Sequence, residues 1–276
     1  MNKTYADVYK NNKLNIFVDI STYCNAGCPQ CHRTDPESGG LRKTEWLPLI
    51  RWDLEEFKSA YTEELVKATA IWEICGTWGD PVMCKDMYEI AQYILTVNPY
   101  TILTIDSNGS IRPLSWWKKL GELSNLCKGG GVIRVDFAIE GITQEMHSKY
   151  RKFTDLNKIL ANMKAFTDAG GEAKAFCVVH KHNQDYLQQI MDMCKAYGAY
   201  GIDYVENNRF NIGNKFKFVN EENEVEYLEQ AEEGYYSPKL VRGAQVDWKT
   251  RQQFVPEWLK KLHQEVSQVG EEEDIH

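Results

Sequence analysis

Three cysteines fall within eight residues, Cys24-Asn25-Ala26-Gly27-Cys28-Pro29-Gln30-Cys31, in a C-x3-C-x2-C spacing. Three thiolates on one loop can bind three irons of a 4Fe–4S cubane and leave the fourth iron to an outside chelator. Gly27 and Pro29 suit a loop that wraps closely around such a cluster. A zinc site built from the trio and His32 is the alternative, although structural zinc sites normally assemble two separated ligand pairs. Cys75, Cys84, Cys127, Cys177 and Cys194 stand singly in mostly apolar surroundings. They read as buried small hydrophobes that a cluster does not need. A secreted disulfide framework would instead spread spaced pairs through a smaller chain.

Four further stretches carry polar or glycine chemistry. In Cys75-Gly76-Thr77-Trp78-Gly79-Asp80-Pro81 two glycines let backbone carbonyls approach a ligand, and Asp80 adds negative charge. Ser107-Asn108-Gly109 is a polar strand end or an ordinary Asn-Gly turn. Ala138-Ile139-Glu140-Gly141 places a carboxylate after another apolar run. In His147-Ser148-Lys149-Tyr150-Arg151 the guanidinium suits a planar carboxylate, either a ligand's or that of Glu140. His180 and His182 follow a later strand, where a lone His is more often structural.

Alternating strands and helices must position these groups. Leu14–Ile20, Ala70–Cys75, Thr101–Ile105, Val132–Ile139, Ala173–Val179 and Ile202–Val205 are short apolar runs that predict strands. Between them, apolar residues at spacings of three and four predict helices. One is capped by Asp53 and runs through Leu54 to Ala68, and another runs through Met87 to Leu95. The rest are capped by Ser115, run from Leu156 to Phe166 and end at Gly170-Gly171, or are capped by Asp185. Such alternation implies parallel strands with crossover helices, an α/β partial (β/α)6 barrel of the TIM type. Ligands bind at the C-terminal ends of such strands, and each motif above follows a predicted strand. The core spans 1–210. An extension over 211–276 is predicted as loop and helix, with helices at Glu222–Glu232 and Pro256–Val269. Its aromatics, among them Phe216, Phe218, Tyr227, Tyr235, Tyr236, Trp248, Phe254 and Trp258, suit a lid across the barrel opening or a helix pair packed outside. Deleting it is expected to spare cluster assembly, because the trio lies near the first strand.

The chain has 276 residues and a formal net charge of -8. That charge argues against a duplex or tRNA partner, which is met by a basic face. No apolar run reaches membrane-spanning length and Met1–Lys13 lacks a signal-type apolar stretch, so a cytoplasmic, membrane-free protein is expected. The acidic run Gly270–Asp274 reads as a solvated tail.

With these residues in view, the chain resembles the radical S-adenosylmethionine (SAM) superfamily from about Asn15 to Arg209. The signature is the C-x3-C-x2-C trio. Gly76, Trp78, Gly79 and Asp80 look like that family's G-x-x-G-[DE]-P loop. Ser107 and Asn108 are similar to its T-N-G strand end, Glu140 to its S-[IL]-D-G turn, and Arg151 to its H-x3-R stretch. The resemblance implies a 4Fe–4S cluster on Cys24, Cys28 and Cys31 and SAM on its open iron. Gly76, Trp78, Gly79, Asp80, Ser107, Asn108, Glu140 and Arg151 would bind SAM, with Asp80 and the loop backbone receiving its ammonium group. A flavodoxin- or ferredoxin-type donor would supply the electron, and the substrate would be a peptide, protein or small molecule. No general acid or base is assigned. Where many members carry an aromatic before the third Cys, Gln30 stands here, so adenine packing falls to another side chain such as His32. Trp116-Trp117-Lys118-Lys119-Leu120 and Asn208-Arg209-Phe210 are similar to the maturase branch with SPASM or twitch extensions. Residues 211–276 contain no Cys for an auxiliary cluster. The competing readings are a noncatalytic iron–sulfur electron carrier and a zinc-stabilised binding module.

Overall fold

A computed structural model describes residues 14–207, 209–210 and 213–232. Strands β1 (Leu14–Val18), β2 (Thr69–Ile74), β3 (Ile102–Ser107), β4 (Val132–Ala138), β5 (Glu172–Val179) and β6 (Ala199–Glu206) pair in chain order. Every pairing is parallel. Helices α1 (Leu54–Ala60), α2 (Glu63–Ala68), α3 (Met87–Val97), α4 (Leu114–Gly121), α5 (Gln144–Ser148), α6 (Leu156–Asp168) and α7 (Leu187–Ala196) fill the crossovers. β1 and β6 are the two edges of this sheet, which is the open partial barrel that the alternation predicts.

Strand alternation divides the two faces. Trp72, Ile74, Leu103, Ile105, Ile133, Val135, Phe137, Ala175 and Cys177 join one apolar core with Phe57, Met87, Ile90, Trp117 and Phe166 from the helices. The intervening positions include Glu73, Asp106, Arg134, Asp136, Lys174 and Asp203, which line the inner face of the barrel and stay partly exposed. One face therefore holds the fold together, and the other is free for polar work.

Three boundaries differ from the sequence expectation. The helix expected over residues 54–68 is two. α1 begins with a capping box in which Asp53 accepts from the Glu56 amide and Glu56 accepts from the Asp53 amide, both at 2.8 Å. It stops at Tyr61, whose ring packs edge-on against Trp72, and Thr62 starts α2 by accepting from the Leu65 amide. Ser115 is not a cap, because Pro113 occupies that position and places Ser115 in the first turn of α4. Asp185 lies within a 3-10 turn, Gln184–Tyr186, and Tyr186 precedes α7.

The start of the extension is also a correction. Glu222–Glu232 does not form a helix. β7 (Lys215–Val219) and β8 (Val225–Glu229) form an antiparallel hairpin. Its turn is made by Asn220, whose side-chain oxygen accepts from the amides of Glu222 and Glu224, and by Asn223 at φ 65°. Alternation puts Phe218 and Leu228 inside and Val225 and Tyr227 outside. The expected helix over 256–269 lies outside the described residues.

Asn98 ties the end of α3 to the chain entering β2. Its Nδ2 donates to the Val66, Lys67 and Thr69 carbonyls at 3.4, 3.3 and 2.8 Å, and the residue is 4% exposed. Asn98→Ala leaves those buried acceptors without their donor and is expected to cost about 1–3 kcal/mol of stability, read from urea unfolding.

Candidate functional site

The cysteine loop follows β1 and has almost no regular structure of its own, so neighbours hold it. The Gly27 amide donates to the Lys152 carbonyl at 3.1 Å. A Cβ on Gly27 would sit 2.5 Å from the Gly40 carbonyl oxygen, so the loop admits only glycine there. Cys31 and Thr34 amides donate to the Cys28 and Cys31 carbonyls at 3.0 and 2.9 Å, winding the chain tightly past the third sulfur.

Hydrogen-bond donors point at the sulfurs. Cys24 Sγ accepts from the Ala26 amide at 3.4 Å and from Asn108 Nδ2 at 3.7 Å. Cys28 Sγ accepts from Arg151 Nη1 at 3.6 Å. Burial pushes both thiols up, Cys28 to about 11, and a neighbouring sulfur adds to each. Such donors suit sulfurs that carry negative charge toward a metal centre. Ligands of one zinc ion would stand roughly 3.8 Å apart, the edge of a tetrahedron with ~2.3 Å Zn–S bonds. The trio does not draw together within 4.8 Å, whereas Glu73, Cys75 and Asp106 do. The five other cysteines are free thiols, and burial is the main cause that raises each of them. Cys84 and Cys127 reach about 11 and Cys75 and Cys194 about 12.

The loop after β2 is clamped from three sides. The Trp78 amide donates to Asp19 Oδ1 at 3.1 Å, and the Asp80 amide to the Tyr23 carbonyl at 2.7 Å. A Cβ on Gly79 would collide with the Ser21 carbonyl oxygen. Asp80 is 2% exposed and accepts from Ser107 Oγ at 3.0 Å and from the Val82 and Asn108 amides at 3.0 and 2.9 Å. Both of its oxygens are thus committed inside the fold. Asp80 thereby latches this loop to the end of β3. Asn108 then reaches onward to Asn25 Oδ1 at 2.9 Å, so β3, the glycine loop and the cysteine loop form one hydrogen-bonded unit.

Glu140 and Arg151 meet, with Arg151 nitrogens 2.8 and 2.9 Å from the two Glu140 oxygens. Glu140 is fully buried, so of the two expected partners for Arg151 the structure pairs it with Glu140, with Nη1 left to face Cys28. Gln30 is 3% exposed and joins a latch. His180 Nε2 lies 3.0 Å from its Oε1, its Nε2 donates to the Arg209 carbonyl at 3.1 Å, and Asn207 also donates to it. His180 is fully buried in this latch, and its ring stacks on His182 at 5.4 Å. His32 faces Trp78 at 6.1 Å, and Trp46 packs edge-on to Trp78 at 5.2 Å.

Sequence reasoning missed Asp19 and the hairpin. Phe218 and Leu228 bury with Ala26, Cys28, Tyr150 and Val178, so the extension begins by packing on the cysteine loop. Lys152 and Glu221 pair at 2.7 Å beside it. Deleting the extension would uncover this side of Cys28.

A family model for the radical SAM superfamily matches residues 18–194. The chain belongs to the radical SAM superfamily. Members bind a 4Fe–4S cluster and SAM. The chain is similar to the GTP 3′,8-cyclase of Aliarcobacter butzleri, 24% identical over 198 residues that cover 69% of this chain and 55% of that one. It also resembles Streptococcus suis SuiB bound to precursor peptide SuiA, with TM-score 0.51, 13% identity and coverage of 72% and 42%. A third likeness is to anSMEcpe with bound AdoMet, with TM-score 0.50, 17% identity and coverage of 72% and 54%. The chain spans about half the length of the curated relatives it matches. Among the described residues no helix is long and apolar enough to cross a membrane.

His147 and His180 are each pushed down to about 3, chiefly by burial. Their folded values lie below the free value of about 6.5, so the neutral rings favour the fold above that pH. Stability is expected to fall as pH drops from about 6.5 toward 3. His180→Gln should flatten part of that slope in urea titrations between pH 7 and 5.

Proposed function

We propose that this radical SAM protein holds its cluster on Cys24, Cys28 and Cys31, binds SAM at the open iron beside Gly76–Asp80, and abstracts hydrogen from a substrate. The observation that carries this reading is the joining of the trio to the glycine loop through Asn108 and Asp80, which supports neighbouring cluster and SAM sites. When bound, the cluster and SAM supply a one-electron cleavage that yields methionine and a 5′-deoxyadenosyl radical.

The chain's own part is positioning and exclusion. The Gly76–Gly79 backbone offers carbonyls to the SAM ammonium, while Asp80 and Asp19 hold that backbone still. Ser107 and Asn108 sit at the SAM-facing strand end. Arg151 neutralises Glu140 and donates to Cys28. Trp78, flanked by His32 and Trp46, supplies an aromatic surface for adenine. The hairpin covers Cys28 and keeps water and oxidants from the cluster edge, so the extension acts as a lid at least at this point.

A peptide or protein substrate is supported by the likeness to SuiB, whose structure holds a precursor peptide, and a small molecule by relatives named GTP 3′,8-cyclase. The electron is expected from a flavodoxin- or ferredoxin-type donor and the location is expected to be cytoplasmic. A carrier protein would need no latched glycine loop, which is why the catalytic reading is preferred.

Anaerobic reconstitution should give iron and sulfide near four per chain, and reduced protein should form 5′-deoxyadenosine from SAM. Cys24→Ala, Cys28→Ala and Cys31→Ala should each abolish both, and normal iron content in the triple variant would sink the assignment. Asp80→Ala should weaken SAM binding by roughly ten- to a hundredfold, measured by equilibrium dialysis, because the loop loses its latch. Phe218→Ala should leave the SAM affinity intact and speed cluster bleaching in air, followed by loss of visible absorbance.

A further inference from the structure

The inner face of the barrel is short of positive charge directly below the glycine loop. Glu73 on β2 and Asp106 on β3 project there, and Asp106 pairs in register with Asp136 on β4. Oxygens of Glu73 and Asp106 and the Cys75 sulfur lie within 4.8 Å of one another. Lys174 on β5 answers part of this charge, with Nζ 2.9 Å from Asp136 Oδ2 and 2.7 Å from Asp203 Oδ2. Arg134 answers another part, facing Asp136 while held at 3.1 Å by Glu172, and its buried Nε has no hydrogen-bond partner. The remaining Asp136 oxygen, Oδ1, is buried and has no hydrogen-bond partner. Asp106 shows the imbalance. Burial first, then the charges of Asp136 and Glu73, push its carboxyl up to about 7.

A buried carboxylate oxygen without a donor is costly, and in a native fold it calls for a partner. Lys174 shows which partner this wall accepts, an ammonium bridging carboxylates from adjacent strands. A divalent metal is a poorer match. The Cys75 thiol donates to the Glu73 carbonyl at 3.4 Å and burial pushes it up to about 12, so its sulfur is not offered as a thiolate. A doubly charged ion would also face the Lys174 ammonium. The acids adjoin the SAM loop, since the Gly76 amide donates to Asp106 Oδ2 at 3.4 Å. A group held by them lies within the chamber where hydrogen abstraction would occur.

We propose that Glu73, Asp106 and Asp136 bind a cationic group of the substrate, an ammonium or guanidinium, on the barrel's inner wall. This rests on the function proposed above only in calling the bound molecule a substrate. Binding itself is independent of SAM cleavage.

The test uses the cluster-loaded, SAM-bound full chain at low ionic strength, with cadaverine and agmatine as probes and 1,5-pentanediol as the neutral isostere, followed by calorimetry. At least one cation should bind at one per chain, and the stronger of the two identifies ammonium or guanidinium. Glu73→Gln and Asp106→Asn should each weaken it roughly ten- to a hundredfold. Cations that bind no better than pentanediol, or that bind unchanged to the double variant, overturn the proposal. So does one zinc ion per chain that displaces the amines and is lost in Cys75→Ser, which would make the wall a metal site. Formation of 5′-deoxyadenosine by the native protein is read in parallel. Its failure with amine binding intact would overturn the function proposed above and leave the cation site standing.

Discussion

The Asp80 carboxylate accepts hydrogen bonds from two strand-end loops at once, and the geometry of the barrel mouth depends on it. The cysteine loop and the glycine loop are irregular and cannot hold a geometry by their own backbone bonding. Parallel strands bring them near each other, but only to within the slack of a loop. Asp80 removes that slack by binding the β3 end, and Asn108 carries the constraint on to Asn25 and Cys24. Burial pushes the Asp80 carboxyl above the usual carboxylate range, and its three donors oppose only part of that shift.

The same logic repeats around the mouth. Asp19 fixes Trp78 from the β1 side, and Glu140 fixes Arg151 from the β4 side. Gln30, Asn207 and Arg209 tie the cysteine loop to the β6 end. At β1, β2 and β3 a polar side chain at the strand end braces the loop of another strand, while Glu140 braces Arg151 within the connection from β4 to β5. Asp80, Asn108, Glu140 and Arg151, which the family resemblance casts as cofactor contacts, also brace the loops around them. The apolar core on the outer face carries none of this work, which leaves the inner face able to hold a surplus of carboxylates.

Much of the fold was legible because β-strands buried on their outer face by helices leave dense apolar runs, and the helices between them keep a regular spacing. Trp72-Glu73-Ile74 and Ile133-Arg134-Val135 show the pattern, with one charged residue turned inward between two core residues. The cysteine trio was legible from spacing alone. The hairpin was not. In Val225-Glu226-Tyr227-Leu228-Glu229 apolar and acidic residues alternate loosely enough to fit a helix, and the Asn220 turn that decides for strands is a side-chain-to-backbone effect. The caps at Ser115 and Asp185 failed because Pro113 and the 3-10 turn before α7 had already set the helix starts. The latch made by Asp80 was hidden too, since a Gly-Asp-Pro string does not say which neighbouring strand its acid reaches.

The scattered cysteines have a consequence for how the protein behaves in the hand. Alkylation requires the thiolate, and Cys75, Cys84, Cys127, Cys177 and Cys194 are all held protonated, three of them also deep in the core. At neutral pH a reagent such as iodoacetamide finds almost no thiolate among them. The same burial raises the Cys24 and Cys28 thiols, so a label entering the cysteine loop reports that the loop has loosened rather than that it is folded. Tryptic mapping of the labelled peptide would follow exposure of that loop in a crude sample, where colour and iron analysis are swamped by other proteins.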